Sequence, residues 1–284
     1  MKRGSRALSD SSLGVIGLGN MAEAIVRGVI ASGAMAPESI FATRRDTDKL
    51  ARLAAELGFS VSSGNRELTR EADIVILGVK PHQYASVIEE IRADLAGKVL
   101  VSVAAGLTCA QLEEMAGPAV EVVRTMPNTP ALVREGCTGI CASSKTSRQS
   151  LTLAWNLLRS VGEVVEVREE NMNSLTAISG SGPAYFFYFT EVLIEAGITL
   201  GLSQDQAEEL ATQTLVGAAS LLRSSEDSVA TLRERVTSPG GMTQAALESL
   251  RESGLAEAVR LAAEAARDRG LQMAAEAQAS SGAG

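Results

Sequence analysis

The short β-rich run Leu13–Gly17 leads directly into Gly17-Leu18-Gly19-Asn20-Met21-Ala22, and helical spacing continues from Met21 to Ser32. Strand, two-glycine turn and helix in that order open a dinucleotide-binding βα unit. Gly17 permits the tight turn, and Gly19 lets the backbone approach a pyrophosphate. Ala22 keeps the helix close to the strand. The helix start then offers N–H groups and the positive end of its dipole to the phosphates. A glycine-rich turn in any α/β fold can imitate this spacing, so the rest of the chain must decide.

Beyond Ser32 the chain alternates between strand-like and helical stretches. Strands are expected at Ser39–Thr43, Phe59–Ser62, Asp73–Val79, Lys98–Ala104, Val120–Thr125, Thr138–Ala142 and Glu163–Val167, with helices at Thr47–Leu57 and Ser147–Val161. Continuous apolar runs such as Asp73–Val79 fit strands buried on both faces of a parallel sheet. After Glu169 only helical spacing remains: Asn171–Gly201, Ser203–Leu222, Asp227–Val236, Met242–Arg251 and Leu255–Gln272. Gly201-Leu202-Ser203 carries a helix stop and a new N-cap. The expected fold class is therefore α/β, a doubly wound domain followed by an all-helical one. Its expected parts are a disordered tail at 1–12, a nucleotide domain at 13–169, a helical domain at 170–277 and a second tail at 278–284.

Composition excludes several classes. The net charge of −8 shows no basic stripe, so nucleic acid is not an expected partner. The first apolar run is too short to span a bilayer and no signal-like core follows the basic N-terminus, so a soluble, cytoplasmic protein is expected. The three cysteines, Cys109, Cys137 and Cys141, are an odd count that does not suggest a disulfide framework. Cys137 and Cys141 could form a metal pair, but no histidine or other cysteine lies near them in sequence. Buried free thiols and no metal are expected.

Cofactor choice is read at the end of the second strand. An acid there would hold the ribose 2′-hydroxyl of NADH. This chain has Thr43-Arg44-Arg45, which suits a 2′-phosphate and favours NADPH, with NADH weaker. Asp46 is left to cap the next helix. Two small-residue stretches mark the second half. Ser179-Gly180-Ser181-Gly182-Pro183-Ala184 interrupts a helical pattern, as a packing joint or as a place for a ligand. Thr237-Ser238-Pro239-Gly240-Gly241-Met242-Thr243 precedes a helix, as a carboxylate seat or as an ordinary capped turn. His82, the one histidine, comes after Lys80-Pro81 and reads as a solvent-facing loop residue.

The segments IGLGNMAEAI, GVKPHQ, VSVAAG, MPNTPALV, SGSGPAYF and TSPGGMT stand in this order between Leu13 and Arg269. In them the chain resembles the pyrroline-5-carboxylate reductase family. The resemblance implies a Rossmann-like N-terminal domain, a helical dimerisation domain, and dimers that assemble further, commonly to decamers. It implies reduction of the C=N bond of 1-pyrroline-5-carboxylate to L-proline by hydride from NAD(P)H. Cofactor contacts would come from Gly17, Leu18, Gly19, Asn20, Met21, Thr43, Arg44, Arg45, Asn65, Val79, Lys80, Pro81, Ala104 and Ala105. Substrate contacts would come from Ser238, Gly240, Gly241, Met242 and Thr243, with Glu169 nearby, and residues of two subunits would line the site. Thr243 is the candidate group at the ring nitrogen. The related β-hydroxyacid dehydrogenases place a catalytic lysine after their glycine-rich motif, and Ala184–Leu202 contains none.

Overall fold

The computed structural model describes residues 7–281. The apolar runs become one sheet of eight strands. They are β1 (Leu13–Ile16), β2 (Ile40–Thr43), β3 (Ser60–Val61), β4 (Ile74–Leu77), β5 (Val99–Ser102), β6 (Glu121–Met126), β7 (Gly136–Ala142) and β8 (Gly162–Glu166). The order is β3-β2-β1-β4-β5-β6-β7-β8. It reverses direction between β1 and β4, and ligands of such sheets sit beyond the strand ends at that point.

Neighbouring strands are parallel except β6 and β7. The link between those two holds only a 3-10 turn, Thr129–Val133, which cannot make a crossover, so the chain doubles back. This antiparallel pair departs from the parallel pattern that the apolar runs suggested.

Residues alternate across the sheet. Val15, Ile74, Ile76, Val99 and Val101 pack under α1 (Asn20–Ala31), α2 (Thr47–Leu57) and, further along, α6 (Arg148–Arg159). Ile16, Val75, Leu77 and Leu100 pack on the other face with Leu68, Ile88 and Leu112. Those three come from α3 (Asn65–Glu71), α4 (Tyr84–Ile91) and α5 (Cys109–Ala116). β1, β4 and β5 are buried throughout, which is why their sequences are apolar without alternation.

The described part of the expected N-terminal tail is not loose. Leu8 is buried and Ser12 N–H donates to Asp73 Oδ2 at 2.9 Å, tying residues 7–12 to the start of β4. The remainder of that tail, residues 1–6, lies outside the described residues, as does 282–284 of the second.

The helical part comprises α7 (Met172–Leu175), a π turn at Thr176–Gly180, α8 (Gly182–Thr199), α9 (Gln204–Ser224), α10 (Val229–Arg235), α11 (Met242–Glu252) and α12 (Leu255–Ser281). The helix expected at Asn171–Gly201 is therefore divided. Ser181 N–H donates to Thr176 O at 2.8 Å across the wide turn, and Pro183 stands at the start of α8, where its missing donor costs nothing. α12 extends beyond the expected end at Gln272 and takes in residues 278–281.

Two compact units result: Met1–Ser181 with Ala266–Gly284, and Gly182–Ala265. The division falls later than residue 170 for a physical reason. Leu175 fills the space over Gly139 in β7, and Asn128 Nδ2 donates to Ser179 O at 2.9 Å, so residues 170–181 belong to the sheet.

In the second unit Gly201, at φ +100°, stops α8, and Ser203 caps α9 through Gln206 N at 3.3 Å. α8 and α9 approach closely: a Cβ on Gly197 would lie 3.2 Å from that of Ala207. Few side chains are buried here. Phe186, Phe187, Tyr188 and Phe189 of α8 are all exposed. No helix among the described residues is long and apolar enough to cross a membrane.

Candidate active site

The turn after β1 is built as its glycines demand. Gly17 has φ +83°, and a Cβ there would strike Val79 Cγ1 at 2.5 Å. Gly17 and Leu18 N–H both donate to Thr43 O, which fastens the turn to the end of β2. A Cβ on Gly19, by contrast, would meet nothing nearer than Gly78 O at 3.7 Å. Gly19 is the N-cap of α1 and no side chain caps that helix. Its first N–H groups therefore have no partner within the helix. An open glycine before an uncapped helix fits a diphosphate.

Gly78, which sequence reasoning passed over, is as restrictive. Its Cβ would lie 2.4 Å from Gly17 O and 2.9 Å from Ala22 Cβ. The exit of β4 thus stacks on the β1 turn. The signal was a glycine directly after a β-branched run.

At the end of β2, Thr43 Oγ1 donates to Asn65 Oδ1 at 2.8 Å. Asn65 Nδ2 donates in turn to Glu90 Oε2 at 2.8 Å. Arg44 Nη1 donates to Leu18 O at 2.6 Å, so this guanidinium spans from the second strand to the phosphate loop. Arg45 is exposed and lies against the side-chain amide of Gln83. Asp46 caps α2 by accepting from Lys49 N at 2.9 Å, as expected.

Val79, Lys80, Pro81, Ala104 and Ala105 lie just beyond the ends of β4 and β5. Lys80, Pro81 and His82 are exposed. Beneath them is a buried chain of hydrogen bonds. Ala104 N–H donates to Ser102 Oγ at 3.4 Å, Ser102 Oγ to Tyr84 OH at 3.2 Å, and Tyr84 OH to Leu77 O at 2.6 Å. Nothing local in the sequence marks Tyr84.

Glu169, expected near the substrate, lies at the start of α5. Its Oε1 accepts from Cys109 N at 2.6 Å and from Arg124 Nη1 at 3.0 Å, so this carboxylate holds the first turn of α5. The thiols of Cys109 and Cys141 lie beside it, 4.0 Å apart. The contact with Cys141 and burial push the Cys109 thiol up; the same contact holds that of Cys141 down. Cys109, Cys141 and Glu169 are close enough to share a cation, but the Arg124 guanidinium already neutralises the carboxylate. Cys137, the other half of the sequence-suggested pair, is not in this group.

The loop before α11 is tightly tied. Gly240 N–H donates to Gln244 Oε1 at 2.7 Å, and Gly241 N–H to Ser238 O at 2.9 Å. Gly241 is the N-cap, and no side chain caps the helix. Met242 and Thr243 are therefore the first helical residues, with N–H groups of the kind that seat a carboxylate. Both side chains are exposed.

The doubly wound sheet, the glycine cradle at its reversal point and the helical unit define a nicotinamide-dinucleotide oxidoreductase. Residues 12–106 match the family described as NADP oxidoreductase coenzyme F420-dependent, and residues 169–273 match pyrroline-5-carboxylate reductase dimerisation. The chain is 39% identical to the pyrroline-5-carboxylate reductase of Pseudomonas aeruginosa, covering 94% of this chain and 98% of that one. A solved pyrroline-5-carboxylate reductase from Coxiella burnetii has 41% identity and a TM-score of 0.89, covering 93% of this chain and 98% of that chain. A Plasmodium falciparum pyrroline carboxylate reductase solved with NADP bound has 33% identity and a TM-score of 0.81, covering 94% and 99%. The chain belongs to the pyrroline-5-carboxylate reductase family.

Proposed function

We propose that this chain is a cytoplasmic enzyme that reduces 1-pyrroline-5-carboxylate to L-proline, the last step of proline biosynthesis, as a homodimer or a larger assembly such as a decamer. It uses NADPH in preference to NADH. The observation that supports this best is the likeness to the Pseudomonas aeruginosa enzyme over 94% of the chain, which takes in both the glycine cradle and the loop at residues 237–243.

The residues of the cradle divide the cofactor between them. Gly17, Leu18, Gly19, Asn20 and Met21 hold the diphosphate at the start of α1. Thr43, Arg44, Arg45 and Asn65 hold the adenosine ribose and its phosphate. Val79, Lys80, Pro81, Ala104 and Ala105 form the wall at the ends of β4 and β5. When bound, the reduced nicotinamide supplies a hydride.

The substrate carboxylate is seated by the start of α11, at Met242 and Thr243, with Ser238, Gly240 and Gly241 fixing the loop. An iminium accepts hydride readily, so no strong acid is needed, only orientation and a polar group at the ring nitrogen. Thr243 supplies that group through its hydroxyl. Glu169, beside the start of α5, completes the substrate end of the site. The test is to add 1-pyrroline-5-carboxylate to enzyme and NADPH while following cofactor absorbance. Stoichiometric formation of proline is expected, and no absorbance loss would overturn the reading.

A further inference from the structure

In NADH-binding folds of this kind a carboxylate at the end of the second strand accepts from the ribose 2′-hydroxyl. Here that position is Thr43, with two arginines after it. The fold nevertheless links a carboxylate on another element to that position through one intervening side chain. Glu90, on the last turns of α4, accepts from Asn65 Nδ2 at 2.8 Å, and Asn65 Oδ1 accepts from Thr43 Oγ1 at 2.8 Å.

The direction of these bonds matters. The Thr43 proton is committed to Asn65, so its oxygen faces a ligand as an acceptor. An acceptor backed by a carboxylate suits a 2′-hydroxyl, which can donate, and opposes a 2′-phosphate, which at neutral pH mainly accepts. Arg44 and Arg45 act in the opposite sense. Arg44 is engaged by Leu18 O, and Arg45 is exposed beside Gln83. The cofactor subsite therefore carries two opposed signals.

We propose that Glu90, acting through Asn65 and Thr43, is a cofactor-specificity residue that holds the affinity for the 2′-phosphorylated dinucleotide below what the two arginines would otherwise give. The inference rests on the functional reading above, because it takes the end of β2 as the ribose site. Glu90 is exposed, so its substitution leaves the core untouched.

The experiment is a charge series, Glu90→Gln and Glu90→Lys, with the dissociation constants of NADPH and NADH measured on the full chain by cofactor fluorescence. Glutamine keeps an acceptor for Asn65 and removes only the charge. At low ionic strength Glu90→Gln should bind NADPH roughly two- to fivefold more tightly, with Glu90→Lys tighter still. NADH should change little in either, and the NADPH gain should shrink as salt is raised. An unchanged or weaker NADPH constant across the series, or equal shifts for both cofactors, overturns the proposal. Wild-type enzyme that binds both dinucleotides but does not reduce 1-pyrroline-5-carboxylate overturns only the functional reading. Failure to bind either dinucleotide overturns both.

Discussion

The hydroxyl of Tyr84 donates to the carbonyl oxygen of Leu77 at 2.6 Å. It joins the ends of β4 and β5, because it also accepts from Ser102 Oγ. Tyr84→Phe keeps the ring and leaves a buried carbonyl unpaired, which costs about 1–3 kcal/mol. Urea unfolding should report that loss. Burial pushes the Tyr84 phenol from 10 up to about 12. A group whose folded pKa is raised stabilises fully below its unfolded value, and that contribution is lost as pH rises towards the folded value. Wild-type stability should therefore fall more steeply than that of Tyr84→Phe as pH rises from 10 to about 12. Parallel curves would show that the phenol does not carry this dependence.

Gly17 and Gly19 make separable predictions. Alanine at Gly17 combines a left-handed backbone with a clash against Val79, so both melting temperature and cofactor affinity should drop. Alanine at Gly19 meets no protein atom within 3.4 Å, so the fold should stand. Its methyl projects where a diphosphate would approach. Crowding of that kind costs about 1–3 kcal/mol, or roughly fivefold to hundredfold in the dissociation constant. Calorimetry with and without NADPH measures both effects. Tight NADPH binding by Gly19→Ala would remove the loop from the cofactor site.

The contrast between those glycines shows where sequence is informative. α2 has the bounds expected for it, because its apolar spacing and Asp46 cap are local. The two-glycine turn is legible for the same reason. α3, α4 and α5 are too short to establish a 3.6-residue period, and each is held by a few contacts such as Leu68, Ile88 and Leu112. The antiparallel β6–β7 pair depends on a connection too short for a crossover, which an apolar strand cannot reveal. Gly78 against Gly17, Glu90 against Asn65 and Glu169 against Arg124 are distant in the chain, so only the topology brings them together.

The arginines after β2 should read the 2′-phosphate. Replacing Arg44 and Arg45 together by alanine should raise the Michaelis constant for NADPH far more than that for NADH. Arg44 also holds Leu18 O, so Arg44→Ala alone should loosen the phosphate loop and weaken both cofactors slightly. Arg45 has no such backbone bond, and its removal should affect NADPH alone. Each charge-assisted contact is worth about 1.5–3 kcal/mol. Equal losses with both cofactors in Arg45→Ala would show that it does not discriminate.

The exposed Phe186–Phe189 run predicts assembly. Four aromatic side chains in succession place apolar surface on most of the circumference of α8, and the chain alone leaves it uncovered. Light scattering should give a dimer or a multiple of one. Residues 1–169 alone should be inactive. Replacing Phe187 and Tyr188 by lysine should yield monomers with little turnover. An active monomer would sink the expectation.

Thr243 admits the sharpest test, because the structure removes one competing role. Sequence alone left open whether its hydroxyl caps the adjoining helix. The N-cap is Gly241, and no side chain caps α11, so Thr243 stands inside the first turn with its side chain exposed. Valine keeps the β-branched shape, and the two residues have similar helix propensity. Thr243→Val should therefore melt close to wild type. If the hydroxyl supports the ring nitrogen, its loss removes a hydrogen bond to a charged group, about 1.5–3 kcal/mol, or roughly tenfold to hundredfold in catalytic efficiency. NADPH affinity should barely change, because the role proposed for Thr243 is towards the substrate and not the cofactor. Thr243→Ser retains the hydroxyl and should retain most activity. Steady-state kinetics of both variants, beside their melting temperatures, separate the cases. Full turnover in Thr243→Val would leave the ring nitrogen without this partner and require another donor.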